Sequence, residues 1–326
     1  MKKSLITGVL YQPFRSWPAV SQSNDGVTWD QPIAPFDVGD SPTGIATDGI
    51  VLAISNARGY VSTSYDEINY SLTEVSDGFG IQSLGYKNGR WVAVGQRIYT
   101  SQYGLYPSMS EVSQIYSSTA ADGNWDMVWS NPSVDSHLYQ VKWFQSAPIS
   151  GTVASNVWVA VGSIGETGDA WYSLDNGFSW TQVSIPSGIG RIFSVGLVTA
   201  GATDYWYWGS SGKIFRSPFL LDQSTWTQVS IDGNGQITDI EYQGGVVVIA
   251  GTDRVYSSQD GNYLRSWSYP GYVFDRVGYI ENDGGLQWMA FARSNLTQYT
   301  QWTTTDLISW TPTNNGMHVS GFTSSP

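Results

Sequence analysis

The sequence predicts an all-β protein, a seven-bladed β-propeller with four-stranded antiparallel blades, the first blade completed by the C-terminal strand. Two observations carry this: repeated apolar segments at regular spacing, and a Ser- or Thr-ended strand after each of them. The hexapeptide WTQVSI occurs at Trp180–Ile185 and again at Trp226–Ile231. The pentapeptide WVAVG occurs at Trp91–Gly95 and at Trp158–Gly162. Looser relatives of the pentapeptide lie at Leu5–Leu10, Ile50–Ser55, Tyr205–Gly209, Val246–Gly251 and Trp288–Ala292. All are apolar at nearly every position, which suits a strand buried on both faces in the middle of a blade.

The following strands are read at 19–23, 60–64, 97–101, 170–174, 213–217, 254–258 and 301–305. A turn comes next, usually with a Trp or Tyr opening an outer strand. Inner strands are read before the middle ones, at Gly44–Thr47, Ile81–Tyr86, Leu138–Phe144, Arg191–Leu197, Gln236–Tyr242 and Phe274–Ile280. The first blade lacks one, and Met317–Phe322 is the candidate that closes the ring and covers the sheet edges. The widest gap, between Tyr106 and His137, predicts an extra hairpin or an elaborated outer strand. Residues 1–326 are thus read as one propeller domain without an amphipathic helix.

Composition narrows the chemistry. The net charge is −12, and the 15 Lys and Arg form no basic run, which argues against a phosphate-tracking groove and nucleic acid as a partner. The absence of cysteine excludes disulfides, thiolate catalysis and Cys-ligated zinc. Two histidines, His137 and His318, are too few for a multi-His metal site, so no metal or cofactor is expected. Leu5–Leu10 is too short and too interrupted for a signal peptide, and no apolar run is long enough for membrane insertion.

Ser173-Leu174-Asp175-Asn176-Gly177-Phe178-Ser179-Trp180 matches the pattern S-x-D-x-G-x-x-W at every fixed position. Shortened copies are Ser23–Gly26 leading to Trp29, Ser64–Asp66 leading to Tyr70, Thr304–Asp306 leading to Trp310, and Ser258–Gly261 leading to Trp267. The chain therefore resembles the Asp-box, or BNR-repeat, propellers over most of its length. The resemblance implies a structural role for Ser173, Asp175, Gly177 and Trp180: the side chains bond the turn backbone, Gly allows a positive φ, and the Trp packs between strands. It also implies that these turns lie opposite the usual ligand face. The family includes sialidases, other glycoside hydrolases, photosystem assembly factors, sorting receptors and viral surface proteins, so it does not fix function.

On the predicted ligand face, the loop 11–18 carries Tyr11, Phe14, Arg15 and Trp17, and the loop 292–300 carries Arg293, Asn295 and Tyr299. Ring closure makes their blades neighbours, and Arg58 follows in the next blade. Aromatics beside arginines and amides suit a sugar or a protein. No catalytic residue is assigned. The main expectation is a non-enzymatic bacteriophage virion protein of tail, fibre, baseplate or capsid surface. It would bind other virion proteins or a host-surface glycan or protein. A surface low in charge and rich in Tyr, Trp, Ser, Thr and Gly, together with the missing export signal, motivates this reading. It implies synthesis in a host cytoplasm and localisation to the virion; the alternative localisation is cytoplasmic. One alternative function is a sialidase-like hydrolase: PFRSWP is similar to the F-R-I-P signature, Arg15, Arg58 and Arg293 would clamp a carboxylate, and Tyr299, Glu166 and Asp169 would be nucleophile, base and acid. The other is an assembly-factor propeller of the photosystem type.

Overall fold

A computed structural model describes residues 4–12, 15–23, 30, 33–36, 41–100, 109–133, 135–261, 263–282, 285–294, 298–314 and 317–324, some of the terminal strands by backbone alone. Six four-stranded antiparallel blades follow one another along the chain, with strands taken in order from the inner to the outer edge except where noted. Blade A comprises Pro42–Thr47, Leu52–Asn56, Tyr60–Ser64 and Ser71–Glu74. Blade B comprises Phe79–Lys87, Arg90–Thr100, Met109–Ser118 and Asp126–Ser130. Blade C comprises Ser136–Pro148, Val153–Ile164, Thr167–Ser173 and Thr181–Gln182. Blade D comprises Ile192–Ala200, Thr203–Ser210, Lys213–Ser217 and Thr227–Val229. Blade E comprises Ile237–Gln243, Val246–Gly251, Arg254–Ser258 and Arg265–Trp267. Blade F comprises Tyr272–Asn282, Gly285–Ser294, Gln298–Thr304 and Thr311–Asn314.

The count of seven blades is corrected to six. In place of a seventh four-stranded blade, Met317–Ser324, Ser4–Gln12 and Arg15–Ser23 form a three-stranded sheet. Its C-terminal strand pairs antiparallel with Ser4–Gln12 and packs against the inner strands of blades A and F. Past Ser23 the described chain meets this sheet at Asp30, whose N–H bonds Gln22 O at 2.9 Å and whose carbonyl accepts from Ser21 Oγ at 2.7 Å.

A second correction falls in blade B. Arg97–Thr100 is not the third strand; it extends the second to Arg90–Thr100, and the third is Met109–Ser118, which carries the Ser-ended segment Ile115–Ser118. The gap after Tyr106 thus holds the blade's third and fourth strands.

The middle strands are buried as their apolar runs predict: Val92–Val94, Val157–Val161, Trp206–Trp208 and Val247–Ala250 are almost wholly inaccessible. In every four-stranded blade the inner strand carries a β-bulge opposite the middle strand, as between Ile81 and Ser83, Leu138 and Gln140, and Ile237 and Asp239. A bulge turns the strand and re-aims a side chain. It also explains the glycine that ends WVAVG: a Cβ on Gly95 would strike the carbonyl of Gly80, and one on Gly162 the carbonyl of His137. Gly162→Ala is expected to destabilise the domain by about 1–3 kcal/mol, the usual cost of overpacking, read as a lower urea midpoint with an unchanged slope.

The repeated turns after the third strands share one hydrogen-bond scheme. In blade C, Ser173 Oγ donates to Asp175 Oδ1 at 2.8 Å and accepts from Gly177 N at 2.8 Å, while Ser179 N donates to Asp175 Oδ1 at 2.9 Å. Asp66, Asp260 and Asp306 accept equivalent backbone bonds in blades A, E and F. The residue after each Asp has a positive φ: Glu67 63°, Asn176 60°, Gly261 66° and Leu307 61°. Trp180 and Trp310 anchor two of these turns in the core; in blade E Leu264 is the buried anchor, and Trp267 sits in the outer strand instead. The first copy lies outside the described residues apart from Ser23. Asp175 is on the exposed side of its turn. Asp175→Ala is therefore expected to cost only about 1 kcal/mol, the net worth of an ordinary hydrogen bond, in a thermal or urea melt.

Candidate functional site

The inner strands leave a cavity of about 430 Å³ along the ring axis. Its lining follows from the bulges. In blades B, C and E the residue after the bulge reaches toward the next inner strand, whose edge N–H groups would otherwise lack partners. Ser83 Oγ accepts from Val141 N at 3.2 Å, Gln140 Oε1 from Val195 N at 2.9 Å, and Asp239 Oδ2 from Val277 N at 3.3 Å. Side chains thus stitch blade B to C, C to D, and E to F.

A charged cluster sits on this ring. Lys142 Nζ, from blade C, donates to Glu241 Oε1 at 2.6 Å, Ile240 O at 2.6 Å and Asp239 Oδ1 at 3.3 Å, all in blade E. All three ammonium donors are used, and the contact spans blade D. Gln140 Nε2 adds a bond to Asp239 Oδ1 at 3.0 Å. Burial alone would lower the Lys142 pKa, but Asp239 and Glu241 outweigh it and hold the ammonium above its ordinary value. Burial would raise Asp239, yet Lys142 and Arg276 hold it below the usual carboxylate range. For Glu241 burial wins, with Asp239 adding repulsion, and its pKa is raised. The cluster joins blades C and E. Sequence reading passed over it, although charges at Lys142, Asp239 and Glu241 inside otherwise apolar strands were a visible signal.

A second cavity, about 530 Å³, opens between blades E and F on the face of the second-to-third strand turns. Asp253 and Arg254 line it from blade E, Tyr269 and Tyr272 from the connection and the start of blade F, and Arg293 from the end of the second strand of blade F. The two tyrosines meet edge to face at 5.3 Å, and Tyr269 packs on Trp302 at 4.6 Å, which fixes its ring while leaving it 46% exposed. Asp253 Oδ2 accepts from Arg254 Nε at 3.0 Å. Among the described residues, Asp253 Oδ1 and Arg293 Nε are buried atoms without a hydrogen-bond partner, although Arg293 Nε lies 3.4 Å from Asp275 Oδ2. Buried polar atoms of this kind are costly to leave without a partner.

Of the residues proposed from sequence, Arg293 is in this cleft. Arg58 is exposed in the turn of blade A, its N–H bonded to Asn56 Oδ1 at 3.0 Å. Phe14 and Asn295 lie outside the described residues, as do the side chains of Tyr11, Arg15, Trp17 and Tyr299. Their backbones show Trp17 opposite Leu10 and Tyr299 opposite Arg293, in the closing sheet and in blade F respectively.

The sialidase arrangement is not assembled. Glu166 is exposed in blade C and paired with Arg191 at 2.6 Å, while Tyr299 belongs to blade F, with blades D and E between them. Asp169 is buried and accepts from Trp171 Nε1 at 2.8 Å and Gln182 Nε2 at 2.9 Å; burial raises its pKa. Among the described residues no group of three or more acidic, His or Cys side chains is placed to hold a metal ion, and no helix is long and apolar enough to cross a membrane.

The fold and the two cavities define a β-propeller with a stitched axial channel and an aromatic, charged cleft on one face. Comparison with solved structures agrees on the fold. The chain is similar to YCF48 from Cyanidioschyzon merolae, at 15% identity over 89% of this chain and 94% of that one, with a TM-score of 0.59. A structure titled YCF48 bound to D1 peptide is similar at 15% identity, covering 93% and 94%, with a TM-score of 0.60. The periplasmic gluconolactonase PpgL of Pseudomonas aeruginosa is similar at 12% identity over 99% of both chains, with a TM-score of 0.61. No protein-family profile and no curated protein sequence matches the chain. None of the similar structures named here is a virion protein, and the expected bacteriophage attachment function is corrected: nothing among these neighbours supports it.

Proposed function

We propose that the chain is a non-catalytic propeller of the Asp-box type that holds a segment of a partner protein during assembly. One observation carries the reading: the cleft between blades E and F, with two tyrosine walls, Arg293 and Asp253 carrying unpartnered buried atoms, and a volume of about 530 Å³. Tyrosine offers a rigid contact surface at small entropic cost, and an arginine fork beside it can bond a peptide carbonyl or carboxylate. A propeller of this fold bound to a peptide supports the reading. The turns of blades A, C, E and F, with their shared Asp bonding, support the Asp-box assignment.

The test is selection from a random peptide display library on the intact chain and on Tyr269→Ala/Arg293→Ala. The wild-type protein should enrich a common motif that the double variant does not. Equal enrichment by both would remove the cleft from the reading. Turnover of gluconolactone or of a sialoside by the wild type, lost in the double variant, would replace binding with catalysis.

A further inference from the structure

The opposite face carries a second surface. Antiparallel alternation puts every first-to-second and third-to-fourth strand turn on that face, away from the cleft. Among the exposed apolar side chains on this face, blade A presents Ile50, 75% exposed, Ile68, 66%, and Tyr65, 63%; blade C presents a second group, Val153, Leu174 and Phe178, of which Phe178 is covered by the Arg90 guanidinium at 3.7 Å. Leu52 pairs with Ser64, so the turn bearing Ile50 and the turn bearing Tyr65 and Ile68 lie side by side. Single exposed apolar residues need no explanation, but three large ones on adjoining turns mark an interaction patch.

The turns hold this patch rigid. Asp48 Oδ1 accepts from the N–H groups of Ile50 at 2.8 Å and Val51 at 2.6 Å. Asp66 Oδ1 accepts from Ile68 N at 2.9 Å and Asn69 N at 2.7 Å. Tyr65 Oη donates to Asp122 Oδ2 of blade B at 2.7 Å, which ties the two blades' turns together. The apolar tips therefore stand on fixed backbone and lose little entropy when covered.

Charge selects the occupant. Asp48, Asp66, Glu67 and Asp122 lie on and beside the patch; Arg58 is in a turn at the opposite face, and Lys87 and Arg90, on the first-to-second turn of blade B, are directed onto Trp143 and Phe178 of blade C. A second copy of this chain, at net charge −12, would bring like charge onto like. An anionic membrane surface is repelled for the same reason.

We infer that the outer turns of blade A dock a basic amphipathic segment of a partner protein, its apolar side chains on Ile50, Tyr65 and Ile68 and its Lys or Arg on the surrounding carboxylates. This surface is separate from the cleft, so the propeller would hold one partner on each face.

The experiment uses the full chain and a fluorescein-labelled amphipathic helix of leucine and lysine, with its leucine–glutamate counterpart as control. The wild type should bind the lysine peptide and not the glutamate one. Ile50→Ser/Ile68→Ser, which changes exposed side chains and no charge, should weaken binding about tenfold or more, equivalent to about 1.4 kcal/mol. Tyr269→Ala/Arg293→Ala should leave it unchanged, so that failure of the cleft and failure of this surface are told apart. Undiminished binding by the serine variant would show that charge alone holds the peptide and would overturn the proposal. A wild-type dimer in sedimentation that the serine variant abolishes would assign the patch to a second copy instead, and would equally overturn it.

Discussion

Lys142→Met should be among the most damaging single substitutions in this protein, lowering stability by about 3–5 kcal/mol in urea unfolding at neutral pH. Removing the ammonium leaves Asp239, itself almost wholly buried, and Glu241 facing one another with Arg276 as their remaining counter-charge. It also takes the donor from Ile240 O and removes the charged link between blades C and E across blade D, leaving the Gln140 Nε2–Asp239 Oδ1 bond to span it. Removing one partner of a buried pair costs more than removing the pair, because the survivor stays desolvated. The double variant Lys142→Met/Glu241→Gln should therefore recover part of the loss, and a double-mutant cycle measures how much.

The pH dependence has a definite sign. The folded-state pKa of Lys142 is raised above its ordinary value of 10.5. Its contribution is thus full below that value and is lost as pH rises through the folded-state pKa. The gap between wild type and Lys142→Met should narrow in alkali above pH 10.5. A gap that stays constant there would mean the lysine acts through packing of its stem alone. On the acid side, Asp239 has a depressed pKa, so its contribution is present above the ordinary carboxylate range and fades as pH falls through its folded-state value.

The sequence and the structure part company at identifiable places. Middle strands were legible because burial on both faces leaves a nearly continuous apolar run, as at Trp91–Gly95 and Trp158–Gly162. The turn at Ser173–Trp180 was legible because a local hydrogen-bond scheme demands fixed residues at fixed spacing. Arg97–Thr100 misled because an apolar–polar stretch ending in Thr looks the same whether it opens a new strand or lengthens the last one. The fourth strand of the N-terminal sheet was expected from symmetry with the other blades rather than from a pattern of its own. The axial cluster and the cleft were harder still. Lys142 and Asp239 are about a third of the chain apart in sequence, and Asp253, Tyr269 and Arg293 come from a turn, a connection and a strand end. Blade geometry brings these residues together, while local periodicity records only the strands that carry them.

Removing Met317–Pro326 is expected to have the largest effect of all, loss of a single cooperative transition. The strand Met317–Ser324 pairs with Ser4–Gln12 along most of its length and fills the inner position between blades A and F. Without it, the inner backbone edge of Ser4–Gln12 has no ladder partner, and the three-stranded sheet becomes a two-stranded hairpin, which is marginal in water. The seam between the inner strands Tyr272–Asn282 and Pro42–Thr47 opens at the same time, since both pack against the deleted strand. The lost backbone bonds, at about 1 kcal/mol each, amount to a large share of the 5–15 kcal/mol that holds a typical domain. A thermal melt followed by circular dichroism should show a broad transition at markedly lower temperature. A synthetic peptide of the deleted sequence, added in trans, should restore part of the loss by occupying the vacated edge. A truncated chain that melts like the full one would mean that the six blades hold their arc without the closing strand.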